Sequence, residues 1–292
     1  MRSFDYIESG KTLLTPHTTS LFAAIHEAKG RQSIQTTIRP DILGTLVAVA
    51  RIQSTDASNR IEGISTSDSR LNDLVSEKVT PRNRNEEEIA GYRDALSVIH
   101  ESHDYIPITP NVILQLHRDL FRHTPLTFAG HFKDSDNVII ERDAHGTSTV
   151  RFAPPSALVT PELIERACSA YTQAIRDGHT DPLLAIAMFI LDFICIHPFN
   201  DGNGRMSRLL TLLMLYRNGY MVGKYISIEH LIEQSKSTYY EALDASTQAG
   251  TTTPMIMRHS RTTCLASYCP RARNSTNASI SRQAAERREH RE

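Results

Sequence analysis

The most apolar stretch of the chain, residues 183–196, limits what this sequence can fold into more than any other feature. It carries a single charged residue, Asp192, and His197 follows it directly. A membrane-spanning helix needs roughly 18 or more consecutive apolar residues, so we interpret this shorter stretch as a helix buried in a protein core. Asp181-Pro182 predicts where the helix starts, because Asp caps a helix and Pro suits its first turn.

Several other segments repeat apolar residues every three or four positions, as one face of a helix does. These repeats are Ile89, Tyr92, Leu96 and Ile99; Val112, Leu116 and Leu120; and Leu163, Ala167, Ala170 and Ile175. Thr160-Pro161 predicts the start of the third helix, and Asn218-Gly219 predicts the end of a further apolar helix over 209–216. The pattern as a whole predicts an all-α protein.

One segment departs from helical periodicity. Residues 138–140 and 149–152 are short and β-prone, and Asp143-Ala144-His145-Gly146 lies between them, which predicts a β-hairpin. An isolated hairpin is only marginally stable in water. We therefore expect it either to pack on the helical body or to offer an edge to another strand.

Composition excludes several classes of protein. With 292 residues, 40% of them hydrophobic, the chain is long and apolar enough for a sizeable core. Its net charge of −1 gives no overall attraction to nucleic acid or to an anionic membrane. The polar start lacks a secretory signal, and the four cysteines form no CxxC pair, so we expect a reduced, cytoplasmic protein.

The end of the chain changes character. Residues 246–292 become rich in Arg, Ser, Thr and Asn without apolar periodicity, which predicts a disordered basic tail. A nucleic-acid patch is the less favoured interpretation of these charges. Cys264, Cys269 and His259 match no common zinc spacing.

A short polar segment follows the apolar helix and precedes the next one. Gly202 and Gly204 allow positive φ angles and close backbone approach, and successive N–H groups at a helix start bind anions. Arg205 and Arg208 lie on one face of the first turn, where the helix dipole disfavours cations. We therefore expect a bound anion there. Polyphosphate fits best, because guanidinium groups bind phosphate oxygens in pairs.

Two further residues of this segment suggest chemistry. Asp201 is a hard oxygen ligand, and Mg²⁺ is usually held by one or two carboxylates together with substrate phosphates. His197 titrates near neutral pH and is the natural general base. Phe199 is better suited to anchor the loop than to react. Each element alone is more often structural, but together they predict phosphate-ester transfer from a nucleotide.

The segment resembles a complete family signature. Residues 197–208 read His-Pro-Phe-Asn-Asp-Gly-Asn-Gly-Arg-Met-Ser-Arg and resemble the Fic (Fic/Doc) motif, His-x-Phe-x-Asp/Glu-Gly-Asn-Gly-Arg-x-x-Arg, at every defining position. The resemblance implies an enzyme that transfers AMP from ATP to a Ser, Thr or Tyr hydroxyl of a target protein. It implies that His197 deprotonates that hydroxyl and that Asp201 holds Mg²⁺. It implies that the ATP phosphates contact Gly202, Asn203, Gly204, Arg205 and Arg208.

A second motif lies far upstream. Ser58-Asn59-Arg60-Ile61-Glu62-Gly63 resembles the inhibitory helix motif of the same family, Ser/Thr-x-x-x-Glu-Gly/Asn. The resemblance implies that Ser58 and Glu62 belong to an autoinhibitory helix. A Glu62 carboxylate paired with Arg208 would occupy the γ-phosphate position and force ATP into an unproductive pose.

The resemblance also divides the chain and assigns its parts. It implies an N-terminal helical region with the inhibitory helix (1–105), a Fic core (106–245) and the tail (246–292). The fold would be an all-α Fic-type bundle with one β-hairpin flap over 137–152, where a segment of the target protein docks by strand addition.

Two assignments inside the core stay less definite. Gly130-His131-Phe132-Lys133 resembles the family's Gly-x-x-Arg with Lys in place of Arg. Tyr239 and Tyr240 resemble residues that line the adenine pocket, although core packing explains them nearly as well.

Other functions remain open at this point. The same site suits phosphoryl, UMP or phosphocholine transfer, or removal of AMP, if the substrate binds in another orientation. A non-catalytic ATP sensor locked by Glu62 would need no His197. The target protein is not encoded in any motif, and a homodimer is compatible with the resemblance.

Overall fold

The computed structural model describes residues 4–38, 40–142 and 148–235. The described part is mainly helical, with two short 3₁₀ helices at His103–Tyr105 and Ala157–Val159. Its α-helices are α1 (Tyr6–Leu13), α2 (Pro16–Ile38), α3 (Pro40–Ile61), α4 (Asp68–Val75), α5 (Arg84–Ser102), α6 (Pro110–Leu120), α7 (Thr160–Asp177), α8 (Pro182–Ile196), α9 (Asn203–Arg217), α10 (Val222–Tyr225) and α11 (Ile228–Gln234).

Helix α8 is the centre of the core, as its apolar sequence predicts. It packs between α7 and α9, and side chains such as Phe189 and Phe193 are fully buried. Asp181 caps its start by accepting the Leu183 N–H at 2.9 Å. The one charged residue of the helix, Asp192, accepts a hydrogen bond from the Tyr6 hydroxyl at 2.7 Å. That bond offsets part of the cost of burying a carboxylate, and it ties α1 to the core.

The helix ends follow the sequence closely, with one correction. Gly178 ends α7 in the left-handed conformation, and Gly219 does the same after α9. Thr160 is not the cap of α7 that its sequence suggested. Residue 159 occupies that position, and the Thr160 hydroxyl instead donates to the Ser156 carbonyl.

The predicted hairpin is present on the helical body. Strands β1 (Ile139–Arg142) and β2 (Ser148–Phe152) pair antiparallel, and the register becomes irregular next to Ile139. Between the described strand ends, residues 143–147 lie outside the described part of the chain. The all-α bundle with one hairpin is therefore confirmed as the fold.

Some predictions fall where the structure gives no description. Tyr239, Tyr240 and the tail 246–292 all lie outside the described residues. Among the helices that are described, none is both long and apolar enough to cross a lipid bilayer.

Helices α3, α5 and α9 pack side by side and bring distant parts of the sequence together. Helix α5 also approaches α6 very closely at Gly91, where a Cβ atom would collide with the Leu120 carbonyl. Glycine is therefore required in the middle of α5, although it lowers helix propensity.

Replacing Gly91 by alanine should test this close approach. The added methyl group meets backbone rather than a flexible side chain, so we expect Gly91→Ala to lower the free energy of unfolding by about 1–3 kcal/mol or more. Gly44→Ala is the matched control, because nothing lies within 4 Å of a Cβ there and alanine favours the helix by about 0.8–1 kcal/mol. Urea unfolding of both variants measures the difference. Equal effects would contradict the packing.

Candidate active site

The site begins where α8 ends. His197 takes a left-handed backbone conformation (φ +50°, ψ +63°) and its N–H donates to the Phe193 carbonyl at 3.0 Å. This conformation is uncommon for a residue with a Cβ. It turns the chain out of α8 at Pro198 and directs residues 199–202 back toward the start of α9.

The loop between α8 and α9 is held closed by its own side chains. The Asn203 amide accepts from the Phe199 N–H at 2.9 Å and donates to the Phe199 carbonyl at 2.8 Å. The Asn203 side chain is thereby occupied within the loop, so an approaching phosphate would meet its backbone rather than its amide. Phe199 is fully buried and anchors the loop, in agreement with the role predicted for it.

The two glycines have different functions. Gly202 has φ +80° at the start of α9, as predicted. Gly204 is helical, so the prediction of a positive φ there is wrong. Its small size matters instead, because a Cβ at Gly204 would collide with the Glu62 carboxylate. The carboxylate of Glu62, directly after α3, thus lies against the first turn of α9, at the position where the sequence predicts an anion.

His117 on α6 connects this loop to the segment before the flap. Its ring stacks on Phe199, with centroids 3.7 Å apart and planes 1° apart. Its Nδ1 accepts from the Gly130 N–H at 3.0 Å, so Nε2 carries the proton and donates to the Asp201 carbonyl at 3.1 Å. Burial is the main reason that the pKa of His117 falls to about 4.

The imidazole of His197 is partly buried, and its buried Nδ1 has no hydrogen-bond partner. Burial lowers the pKa of His197 below its usual value, and the charge of Lys133 lowers it further. The Ile194 backbone and the carboxylates of Glu62 and Asp201 act in the opposite direction. The ring is therefore neutral at neutral pH, which is the form that can accept a proton.

Lys133 occupies the position where the related motif has arginine. Its side chain is buried, and Nζ donates to the Ile196 carbonyl at 3.2 Å and to Asn137 Oδ1 at 3.0 Å. Its own N–H donates to the Pro198 carbonyl at 2.8 Å. Lys133 thus ties the base of the flap to the last residues of α8.

The structure brings the upstream motif directly to the loop. Arg208 is buried, and its Nη2 lies 2.7 Å from Glu62 Oε1. Arg208 also donates from Nε to the Ser58 hydroxyl at 2.8 Å and from Nη2 to the Ser58 carbonyl at 2.9 Å. The pairing of Glu62 with Arg208 that the sequence suggested is therefore present in the geometry.

Arg205 turns toward a different helix. Its side chain is 1% exposed, lies over the Phe121 ring and has Nη1 2.7 Å from Glu88 Oε2. That contact is an ion pair without a well-directed hydrogen bond, and Nε has no hydrogen-bond partner. The two arginines therefore do not form one joint anion site in this arrangement, because each faces its own glutamate.

Glu88 is a site residue that the sequence interpretation missed. It belongs to α5, more than a hundred positions before Arg205. The apolar periodicity of that segment indicates only which face of the helix is buried. Arg84 donates from Nε to its other oxygen at 2.8 Å. The one sequence signal for a role of Glu88 was its position as a charged residue beside the core-facing Ile89.

Asp201 has the donor chemistry that Mg²⁺ prefers, and its side chain is 47% exposed. Its Oδ1 accepts the Gly202 N–H, and Oδ2 lies 3.8 Å from Arg84 Nη2. The described residues contain no group of three or more His, Cys, Asp or Glu that could hold a metal ion. Asp201 therefore fits a cation that also binds substrate phosphates, and does not fit a metal held by protein alone.

Comparison with known proteins agrees with this geometry. Residues 107–215 match the Fic/DOC family. A Fido domain-containing protein of Dictyostelium discoideum is 37% identical over 90 residues, covering 30% of this chain and 58% of that protein. The protein adenylyltransferase fic-1 of Caenorhabditis elegans is 28% identical over 145 residues, covering 47% of this chain and 25% of that protein. The chain spans less than two thirds of the length of either relative.

A solved structure extends the likeness to the whole fold. The crystal structure of a Fic family protein from Desulfovibrio desulfuricans G20 superposes with a TM-score of 0.70, covering 90% of this chain and 76% of that one. The sequences are 24% identical, so this likeness is one of fold.

The buried His117 should make stability depend on pH. Its folded pKa of about 4 lies below the usual value of 6.5, so the unfolded chain binds the extra proton. The neutral ring contributes fully to the free energy of unfolding above about pH 6.5, and this contribution is lost as the pH falls toward 4. The loss is on the order of 3 kcal/mol in all. Replacing it by Gln should lower stability at pH 7.5 and make the loss on acidification shallower.

Urea unfolding between pH 7.5 and 4.5 measures that slope. His179→Gln is the control, because His179 is exposed and should retain the wild-type slope. An unchanged slope in His117→Gln would contradict the assignment of a neutral, buried ring.

Proposed function

The chain belongs to the Fic family, and on that premise we propose that it transfers AMP from ATP to a Ser, Thr or Tyr hydroxyl of a target protein. The relative from Caenorhabditis elegans named a protein adenylyltransferase supports this activity. The family match covers the residues that carry the signature, from His197 to Arg208.

One observation carries the proposal. The Glu62 carboxylate lies at the first turn of α9, paired with Arg208 and in contact with the Gly204 backbone. An anion is therefore stabilised where the helix dipole and a guanidinium act together. A phosphate group of a nucleotide has the charge and the acceptors to replace that carboxylate.

His197 supplies the base for the transfer. Its neutral ring accepts the proton of the target hydroxyl as that oxygen attacks the α-phosphorus of ATP. A new P–O bond forms to the target, the bond between the α-phosphorus and the bridging oxygen breaks, and pyrophosphate leaves. Proton removal by a positioned side chain contributes typically 10²–10⁴-fold to such a rate.

Asp201 and the residues around it complete the site. Asp201 would hold Mg²⁺, which, when bound, neutralises charge on the leaving phosphates. Arg208, once released from Glu62, would bind the γ-phosphate, and the backbone of Gly202, Asn203 and Gly204 would face the other phosphates. We assign Arg205 a role near the β-phosphate, which its unpaired Nε–H supports.

The flap is proposed to hold the target. A segment of the target protein would add to β1 or β2 as a strand, using backbone hydrogen bonds. Asn137 and Lys133 support this function, because they connect the base of the flap to the carbonyls of Phe199 and Ile196. A target hydroxyl on that strand would then lie near His197.

Glu62 is proposed to restrain the enzyme. While it binds Arg208, the γ-phosphate position is taken, and ATP either stays out or binds in an unproductive pose. The same closed pair would also suit a non-catalytic ATP sensor, although a sensor has no use for a neutral imidazole at the loop.

Opening the Glu62–Arg208 pair should therefore switch the enzyme on. We expect Glu62→Gly to raise incorporation of labelled AMP into the protein itself or into lysate proteins by at least tenfold, because the anion site becomes free. Adding His197→Ala should abolish incorporation. Arg60→Ala is the control, since it removes the contacts of Arg60 with Asp56 of α3 and Glu233 of α11 and leaves the pair intact.

Incubation with ATP labelled on the α-phosphate and Mg²⁺ measures these outcomes, and mass spectrometry of the product identifies the adduct. An added mass of phosphate, UMP or phosphocholine would replace AMP transfer by the corresponding Fic-type reaction. ATP binding by Glu62→Gly without any adduct would favour the sensor.

Ser58→Ala should release the enzyme only in part. The substitution removes the hydroxyl that accepts from Arg208 Nε, whereas the Ser58 carbonyl and Glu62 still hold Arg208. We expect AMP incorporation between that of the wild type and Glu62→Gly in the same assay. Incorporation equal to that of Glu62→Gly would show that Ser58, rather than the carboxylate, is decisive.

A further inference from the structure

Four charged side chains next to the loop form a cluster with alternating signs. Arg84 and Arg205 are the cations, and Glu88 and Asp201 are the anions. Each arginine contacts both carboxylates. The proposed function uses Asp201 and Arg205 and leaves Glu88 and Arg84 unexplained.

The distances in this cluster are unequal in a consistent way. Glu88 takes the short contacts, at 2.8 Å from Arg84 and 2.7 Å from Arg205. Asp201 lies 3.8 Å from each of the same two guanidinium groups. Both guanidinium groups therefore make their close contacts with Glu88 and only long contacts with Asp201.

Burial follows the same division. The Glu88 side chain is 4% exposed, whereas that of Asp201 is 47% exposed. A buried carboxylate between two guanidinium groups is a strong competitor for them, because charge pairs interact more strongly away from water. An exposed carboxylate is a weaker one.

We propose that Glu88 is a positioning residue that keeps Arg84 and Arg205 away from Asp201, so that Asp201 remains free to bind a divalent cation together with nucleotide phosphates. The inference rests on the proposed function, since it deepens the role given there to Asp201. Without the charge of Glu88, both guanidinium groups would close on Asp201 and compete with the cation for its oxygens.

The chain supplies a matched control on the same helix. Glu86 is also a buried glutamate of α5, and Arg70, Thr66 and the Arg82 N–H bind it. Arg70 is the main reason that the pKa of Glu86 falls to about 2. Within the described part of the chain, Glu86 forms no hydrogen bond or ion pair with Arg84 or Asp201. Glu86→Gln therefore removes a buried charge from α5 without altering the cluster.

The test measures binding of Mn²⁺, used in place of Mg²⁺, by electron paramagnetic resonance with a non-hydrolysable ATP analogue. All variants carry Glu62→Gly so that the anion site is open, and circular dichroism verifies that they fold. We expect Glu88→Gln to weaken Mn²⁺ binding at least tenfold and Glu86→Gln to leave it within twofold of the parent. Adding Arg84→Gln to Glu88→Gln should restore part of the loss.

Glu88→Asp separates contact from simple electrostatic attraction. The aspartate retains the negative charge but is too short to reach both guanidinium groups, so the proposal predicts weaker Mn²⁺ binding. If Glu88 acted only through the electrostatic field of its charge, Mn²⁺ binding would not change. Unchanged binding in Glu88→Asp, or equal effects of Glu88→Gln and Glu86→Gln, would overturn the proposal. If Glu88→Gln does not fold, Glu88→Asp decides.

The parent variant distinguishes this proposal from the one it rests on. If the parent binds Mn²⁺ but transfers no AMP, the proposed function is overturned. The Glu88 variants then still decide whether Glu88 affects Mn²⁺ binding. A parent that binds no Mn²⁺ with nucleotide overturns the metal role of Asp201 and the role of Glu88 with it.

Discussion

Two buried arginines at the start of α9 each require a carboxylate, and the rest of the site follows from that requirement. Arg205 lies in the first turn of α9, where the helix dipole disfavours cations, and Arg208 lies in the next turn. Leaving a charge buried without a partner costs several kcal/mol. Glu88 of α5 and Glu62, directly after α3, supply these carboxylates, so the packing of both helices on α9 also pairs these buried charges.

The two glutamates differ in how easily a nucleotide could displace them. The Glu88 side chain is 4% exposed and sits between two arginines, whereas the Glu62 side chain is 32% exposed at the end of α3. Gly63, with φ +80°, ends that helix directly after Glu62. An incoming phosphate can reach Arg208 by displacing a side chain at a helix end, while Glu88 would have to leave the core.

The sequence predicted what depends on local pattern and on a contiguous motif. It predicted the buried α8, the hairpin, the anchoring Phe199 and the left-handed Gly202, because each follows from neighbours within a few positions. It missed Glu88 and the linking role of His117, whose partners lie 117 and 84 positions away. It was wrong about Gly204, because a glycine required for close approach and one required for a positive φ look alike in sequence.

The loop residues and Glu62 are held by different numbers of contacts. His197, Phe199 and Asn203 are fixed by backbone hydrogen bonds and ring stacking that would cost several favourable contacts to break. The Glu62 carboxylate is held by its pair with the Arg208 guanidinium and lies against Gly204. The loop is therefore already in place before a nucleotide binds, and preorganised groups of this kind stabilise charge without further rearrangement. If Glu62 restrains the enzyme as proposed, its release requires movement only at the end of α3, around Glu62 and Gly63.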